Sequence, residues 1–203
     1  MRPINFTLSV LFLFLIIMLI QQSSSAQQQV DVSQFEDSYK GGFFRVNVGI
    51  TPGNISYTNE FSSESVVPIY FDFGGGKRIN KTFAPYFLVY GHVLIKETIT
   101  LLNFSQSGMS LGSNLYLRNP NGYIAPEIGL AMLMFDMNGG NESTDNLGAK
   151  FAFKWGRDFH IGGKMFFGTN IYLSYFLTTN SDDNTRKGNG FFYGFNLSVK
   201  YGK

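Results

Sequence analysis

From Gly42 to Tyr201 large apolar side chains recur at every second position, with Gly, Asn, Ser and charged residues between them. A period of two is the period of a β-strand, whose successive side chains point to opposite faces. Eight segments carry it: Gly42–Ile50, Val67–Gly75, Phe83–Val93, Met109–Arg118, Gly122–Phe135, Leu147–Gly156, Ile161–Phe176 and Gly190–Tyr201. In the first, Phe44, Val46, Val48 and Ile50 share one face, and Arg45, Asn47 and Gly49 share the other. In the sixth, Phe151, Phe153 and Trp155 oppose Lys150, Ala152 and Lys154. The third segment is apolar on both faces, and its parity stays open. No stretch after Lys40 shows a helical period. The pattern predicts an all-β fold: an eight-stranded antiparallel up-and-down transmembrane β-barrel.

The connections support this by their lengths. Thr51–Val66, Leu94–Gly108, Asp136–Asn146 and Leu177–Asn189 are long. Gly76–Thr82, Asn119–Asn121 and Arg157–His160 are short. Long loops on one side and short turns on the other are the outer-membrane arrangement, with short turns periplasmic. Both termini are then expected in the periplasm. Pro68, Pro85 and Pro126 fall inside expected strands, where each would forfeit a ladder bond. Ile99–Phe104 reads as a ninth strand or as an upward extension of the third hairpin, so ten strands stay possible.

Parity alone does not say which face is inside. A soluble barrel would turn the apolar face inward, giving a secreted, lipocalin-like binder of a hydrophobic ligand. Volume argues the other way. An eight-stranded interior is only just wide enough for side chains to fill, too narrow for four large apolar groups from each strand. The polar face is instead rich in Gly (Gly49, Gly74, Gly112, Gly129, Gly148, Gly168, Gly194), which relieves crowding in a narrow lumen. Charges spare the apolar face, where Lys or Arg at the bilayer midplane would cost roughly 2–4 kcal/mol. The lumen-facing set is therefore expected to be Arg45, Asp72, Glu127, Lys150, Lys154, Lys164 and Lys200. Its basic excess suits a structural network of ion pairs, with a narrow pore for small solutes as the alternative. Aromatic residues near strand ends are expected to form interface girdles: Phe43, Phe73, Trp155 and Tyr201 at one end, Tyr175, Phe176, Phe191 and Phe192 at the other.

Composition agrees. Charged residues are 15% of 203, against roughly 25% in ordinary globular domains. Phe and Tyr number 22 and 11. The chain has no Cys, which excludes disulfides and thiolate metal sites, and a net charge of +2, which argues against a nucleic-acid partner. Arg2, the apolar run Leu8–Ile20 and Ser24-Ser25-Ala26 read as a signal peptide over 1–26, cut after Ala26. Residues 27–40 read as a polar leader, and 41–203 as the barrel domain.

The signal, the eight alternating segments and the final segment Phe195-Asn196-Leu197-Ser198-Val199-Lys200-Tyr201 resemble the small bacterial outer-membrane β-barrel family of the OmpX and OmpA-barrel type. Gly122-Tyr123-Ile124-Ala125-Pro126-Glu127-Ile128-Gly129-Leu130-Ala131 is similar to that family's fifth strand. The resemblance covers about Gly41–Lys203. It implies a Gram-negative outer-membrane location, a monomer among outer-membrane lipid and lipopolysaccharide, and recognition by the outer-membrane insertion machinery. It also implies adhesion or small-solute passage in some members, and often no known activity.

Candidate chemistry is sparse. A hydrolytic triad needs nucleophile, base and orienter within reach, and no Ser-centred elbow or metal-spaced His pair occurs. His92 is expected as an interfacial histidine, or else as the base of a membrane-embedded lipid-modifying enzyme; His160 falls in a short turn. Gly74-Gly75-Gly76-Lys77-Arg78 lacks the phosphate-loop spacing and a following helix, and reads as a turn whose cations could touch anionic lipid. Asp136–Asn141 and Asp182-Asp183 lack the EF-hand order and read as solvated loop, with weak divalent binding that bridges lipopolysaccharide as the alternative. No catalytic residue, metal site or cofactor is assigned.

Overall fold

The computed structural model describes residues 41–57, 63–94, 102–117, 122–137, 143–180 and 187–202. The chain divides into two units, Met1–Asp37 and Ser38–Lys203. The described residues all lie in the second; the segments expected as a signal peptide (1–26) and a leader (27–40) lie outside them. The described residues form ten strands: β1 (Gly42–Ile50), β2 (Gly53–Tyr57), β3 (Ser63–Val66), β4 (Ile69–Lys77), β5 (Phe83–Val93), β6 (Leu102–Tyr116), β7 (Gly122–Met137), β8 (Ser143–Gly162), β9 (Met165–Asn180) and β10 (Lys187–Gly202). The order is β1-β4-β5-β6-β7-β8-β9-β10, antiparallel throughout, and β1 pairs with β10 to close an eight-stranded ring.

The two additional strands are the upper ends of the first hairpin. Ile50 stands opposite Ile69 and Gly53 opposite Val66, so the β1–β4 register runs unbroken into β2–β3. Ile50 likewise faces Phe195 and Gly53 faces Phe192, one register on β10. The interruption coincides with Pro52 and Pro68, which have no N–H to donate. The ladder bridges it through Thr51 N donating to Pro68 O (3.1 Å) and Tyr193 N donating to Pro52 O (3.0 Å). Both flanks of the expected Thr51–Val66 loop are therefore strand, and Pro68 sits in the break rather than inside a strand. Pro85 and Pro126 do lie within strands, opposite Ser113 and Phe153.

Two other expectations are corrected. Arg157–His160 is not a turn: it belongs to β8, and the turn is Gly163-Lys164. Gly162 (φ 137°) and Gly163 (φ 56°) supply the left-handed backbone there, at a register shift between His160 and Gly162. The polarity of Arg157-Asp158 resembles a turn, yet the alternation passes straight through it. The described part of Ile99–Phe104 is the upper end of β6, paired with β7, and no separate strand.

Registered pairs also fix the barrel's stagger. A walk from Phe44 through Gly75, Phe87, Leu111, Ile128, Phe151, Tyr175 and Phe191 returns to Asn54, ten residues up the strand from its start. Stagger and strand number together set tilt and diameter. The resulting lumen is narrow. A Cβ at Gly112 would stand 2.7 Å from both Cζ and the hydroxyl of Tyr86. Glycine on β6 is what lets the tyrosine of β5 lie across the lumen.

The faces have the polarity of a membrane barrel. Leu111, Ile128, Leu130 and Trp155 expose 62%, 57%, 60% and 58% of their surface, whereas Asp72, Lys150 and Lys154 expose 1% or less. β5 turns Ala84, Tyr86, Leu88, Tyr90 and His92 inward and Phe87 and Val93 outward, which resolves its parity. The soluble, apolar-inside alternative is excluded by this arrangement. At one end of the barrel the polarity changes: Ile55, Val66, Ala131, Leu133, Phe176 and Phe192 form a buried apolar cluster inside the ring, while Asn54 and Ser65 outside it are exposed.

Ile128 lies midway along β7 on the lipid side, so Ile128→Arg is expected to lower stability in a bilayer by about 2–4 kcal/mol. Urea unfolding in phospholipid vesicles, followed through the single Trp155, measures this; a change below about 0.5 kcal/mol, typical of a water-exposed site, would contradict the lipid-facing assignment.

Candidate functional site in the barrel lumen

Five of the expected lumen residues converge at mid-barrel. Asp72 comes from β4, Glu127 from β7, Lys150 and Lys154 from β8, and Arg45 from β1. Each lies on the inward parity of its strand, which is why residues as far apart as Asp72 and Lys154 meet. Lys154 Nζ stands 2.7 Å from Asp72 Oδ2 and 2.7 Å from Glu127 Oε1, bridging the two carboxylates. Lys150 Nζ is 3.5 Å from Glu127 Oε2, and an Arg45 guanidinium nitrogen is 3.8 Å from Glu127 Oε1.

Neutral donors complete the carboxylates. Asn47 Nδ2 donates to Asp72 Oδ1 (2.5 Å) and the Tyr70 hydroxyl to Asp72 Oδ2 (2.6 Å). The Tyr86 hydroxyl donates to Glu127 Oε1 (2.8 Å). The cations lean on rings: Arg45 lies 4.2 Å from the Tyr86 centroid, and Lys150 Nζ lies 3.5 Å from that of Tyr90. Buried charges are tolerable only when their attraction and hydrogen bonds offset lost hydration. Three cations here share two carboxylates, and aromatic faces take up part of the excess.

Lys200 lies apart from this cluster. Its Nζ donates to the Tyr116 hydroxyl (2.6 Å) and to Asp158 Oδ2 (3.0 Å). Asp158 was not among the expected lumen acids, because its segment reads as a turn. The available signal was parity: Lys150, Lys154 and Asp158 are spaced by four, so all three face one side of a continuous strand. Lys164 does not join the lumen; it sits exposed in the β8–β9 turn.

The girdle residues divide. Trp155, Tyr175 and Tyr201 are exposed on the outer wall. Phe43 instead points inward, 8% exposed, with Lys200 Nζ 4.7 Å from its ring centroid. Its even-numbered neighbours Phe44, Val46 and Val48 hold the outer parity. Phe176 and Phe192 are inward for the same reason and fully buried. His92 is buried too, not interfacial. Its ring stacks on Phe192 at 4.6 Å and tilts against Tyr70 at 4.9 Å. Tyr70 stacks in turn on Tyr172 at 4.5 Å, and Phe192 on Phe176 at 5.7 Å. A column of five rings thus leads from the charged cluster into the apolar cluster.

A closed eight-stranded barrel with lipid-facing apolar residues outside and paired charges inside is a small transmembrane β-barrel. Solved structures give that class concrete counterparts. The chain is similar to Neisserial surface protein A, with 13% identity over 78% of this chain and 96% of that one, TM-score 0.55. It is also similar to Ail, the attachment invasion locus protein of Yersinia pestis (14% identity, 78% and 99% covered, TM-score 0.46), and to OprG from Pseudomonas aeruginosa (12%, 81% and 98%, 0.45). No family model matches the sequence, and no curated protein sequence matches it. At 13% identity, what the chain shares with Neisserial surface protein A is the fold.

Lys154→Met leaves Asp72 and Glu127 without their shared cation and is expected to cost about 3–5 kcal/mol. Adding Asp72→Asn should recover part of that loss, because one buried carboxylate is then neutral. Equilibrium unfolding of both variants in the same vesicles measures the pair; equal stability of Lys154→Met and wild type would contradict the bridging role.

Proposed function

We propose that this is an integral outer-membrane protein of a Gram-negative bacterium, structural or surface-interacting in role and without enzymatic activity. Residues 1–26 act as the export signal, and the insertion machinery recognises the final strand. The barrel stands as a monomer among outer-membrane lipid and lipopolysaccharide, both termini periplasmic. The lumen network of Arg45, Asp72, Glu127, Lys150, Lys154 and Lys200 is structural, and Trp155, Tyr175 and Tyr201 anchor the interfaces. No cofactor or metal takes part.

The observation that carries this reading is the filled lumen. Ion pairs bridge mid-barrel, the ring column continues from them, and an apolar cluster occupies the interior beyond. That succession favours a plugged barrel over a narrow pore. The surface left for partners is the end of the barrel at which the long connections fall. A triad around His92 is disfavoured by its setting: its ring lies against Tyr70, Tyr172 and Phe192, the buried Gln106 stands opposite it in the ladder, and among the described residues neither ring nitrogen has a hydrogen-bond partner.

On a gel of the membrane fraction, the protein is expected to migrate differently before and after boiling in SDS, since a closed ladder offers no edge to attack. Recovery only in a soluble fraction would overturn the membrane reading. Reconstituted in planar bilayers, the purified barrel should add no discrete conductance steps; reproducible steps would favour the pore. His92→Ala should leave the membrane lipid profile unchanged, and an altered profile would favour the enzyme.

A further inference from the structure

The buried charges of the lumen do not balance. Among the described residues Arg45, Lys150, Lys154 and Lys200 are buried with Asp72, Glu127 and Asp158, four cations against three carboxylates. Lys200 and Asp158 pair with each other (3.0 Å), so the excess lies in the mid-barrel cluster. Lys150 is where it falls. Lys154 Nζ holds both carboxylates at 2.7 Å, whereas Lys150 Nζ reaches only Glu127 Oε2, at 3.5 Å. Arg45, the other loosely held cation, also donates to Asn114 Oδ1 (3.4 Å). An uncompensated charge is costly in a buried place, and the ring faces around Lys150 offset only part of it.

Unmatched donors border the same lysine. In the ladder Lys150 stands opposite Gly129, and Gly129 opposite Ser110. Glycine leaves no side chain between the two, and Ser110 Oγ leans across it: a Cβ at Gly129 would run into that oxygen. Ser110 is 1% exposed, and its hydroxyl has no hydrogen-bond partner among the described residues. His92 approaches from β5. Its ring lies 4.9, 6.2 and 6.0 Å from those of Tyr70, Tyr90 and Tyr172, and Lys150 Nζ stands 5.9, 3.5 and 5.5 Å from the same three. Neither His92 nitrogen has a partner, and a neutral imidazole carries one N–H. Buried donors are rarely left unmatched.

We propose that the lumen binds one small monoanion, of chloride size, beside Lys150, with the Ser110 hydroxyl and the His92 N–H as further donors. One negative charge there brings the buried charges to balance. Glu127, the acid in contact with Lys150, already accepts from Lys154 (2.7 Å) and from the Tyr86 hydroxyl (2.8 Å). Leu88 and Phe176, fully buried at the two ends of the Ser110–Gly129–Lys150 row, offer a larger anion no further donor. The proposal rests on the structural reading of the lumen network and adds its counter-ion.

The test is urea unfolding of the barrel in phospholipid vesicles, folded at fixed ionic strength in mixtures of sodium chloride and sodium gluconate. The heat-shifted gel band checks folding first. A chain lacking that band fails as a barrel; a folded barrel indifferent to chloride fails this proposal alone. Above the dissociation constant, each tenfold rise in chloride should lower the unfolding constant by about tenfold. Lys150→Met should fold, because two cations then face two carboxylates, and should lose the chloride dependence. Ser110→Ala should weaken the dependence, and Lys164→Gln, exposed in the β8–β9 turn, should keep it. In crystals grown with bromide, anomalous scattering should place one ion beside Lys150 Nζ. If Lys150→Met lacks the gel band, Ser110→Ala and the bromide position decide. Unfolding that ignores chloride would overturn the proposal, and is the result expected if Lys150 sheds its proton instead of binding an anion. So would a dependence that survives Lys150→Met or is unchanged in Ser110→Ala, or crystals with no bromide at Lys150.

Discussion

Backbone in hydrocarbon has no water to bond to, so every N–H and C=O within the bilayer must find a partner in the protein. For a chain whose side chains alternate with a period of two, the answer is a sheet without edges. The β1–β10 ladder supplies that closure, and the remaining architecture follows from it. Even the two prolines of the first hairpin conform: the missing N–H groups at Pro52 and Pro68 leave their carbonyls in use, and the register resumes unchanged beyond them.

Closure with eight strands also sets the interior. The lumen is too narrow for large groups at every inward position, so bulk and its absence alternate between neighbouring strands. Tyr86 lies against Gly112, and the Tyr90 hydroxyl lies against Gly108 while donating to Leu130 O (2.9 Å). What fills the remaining space is charged. Lys154 between Asp72 and Glu127 ties β4 to β7 and β8 across the lumen, a connection that no backbone ladder makes. These ion pairs occupy the middle of the lumen.

Polarity then varies along the strands as well as across them. Through the bilayer zone the outside is apolar and the inside charged. Toward the long-loop end Ile55, Val66, Leu133, Phe176 and Phe192 turn the inside apolar, as in a water-soluble protein. The surrounding solvent changes along the barrel, and the side chains change with it. His92 stands at this transition, stacked on Phe192 and tilted against Tyr70.

The alternation in the sequence by itself determined the strands, the closed even-numbered barrel and which face meets lipid, because each depends on a two-residue period and on side-chain volume. It also marked Arg45, Asp72, Glu127, Lys150, Lys154 and Lys200 as inward, since parity is a local property. Tertiary structure decided the rest. That Lys154 bridges Asp72 and Glu127 depends on inter-strand register, which no single strand encodes. Where β8 ends depends on Gly162 and Gly163 bending the backbone, and that places Asp158 in the lumen and Lys164 outside it. Phe43, Phe176 and Phe192 show the same limit: an aromatic residue near a strand end suits either a girdle or a packed interior, and only its place in the pleat of a closed sheet separates the two.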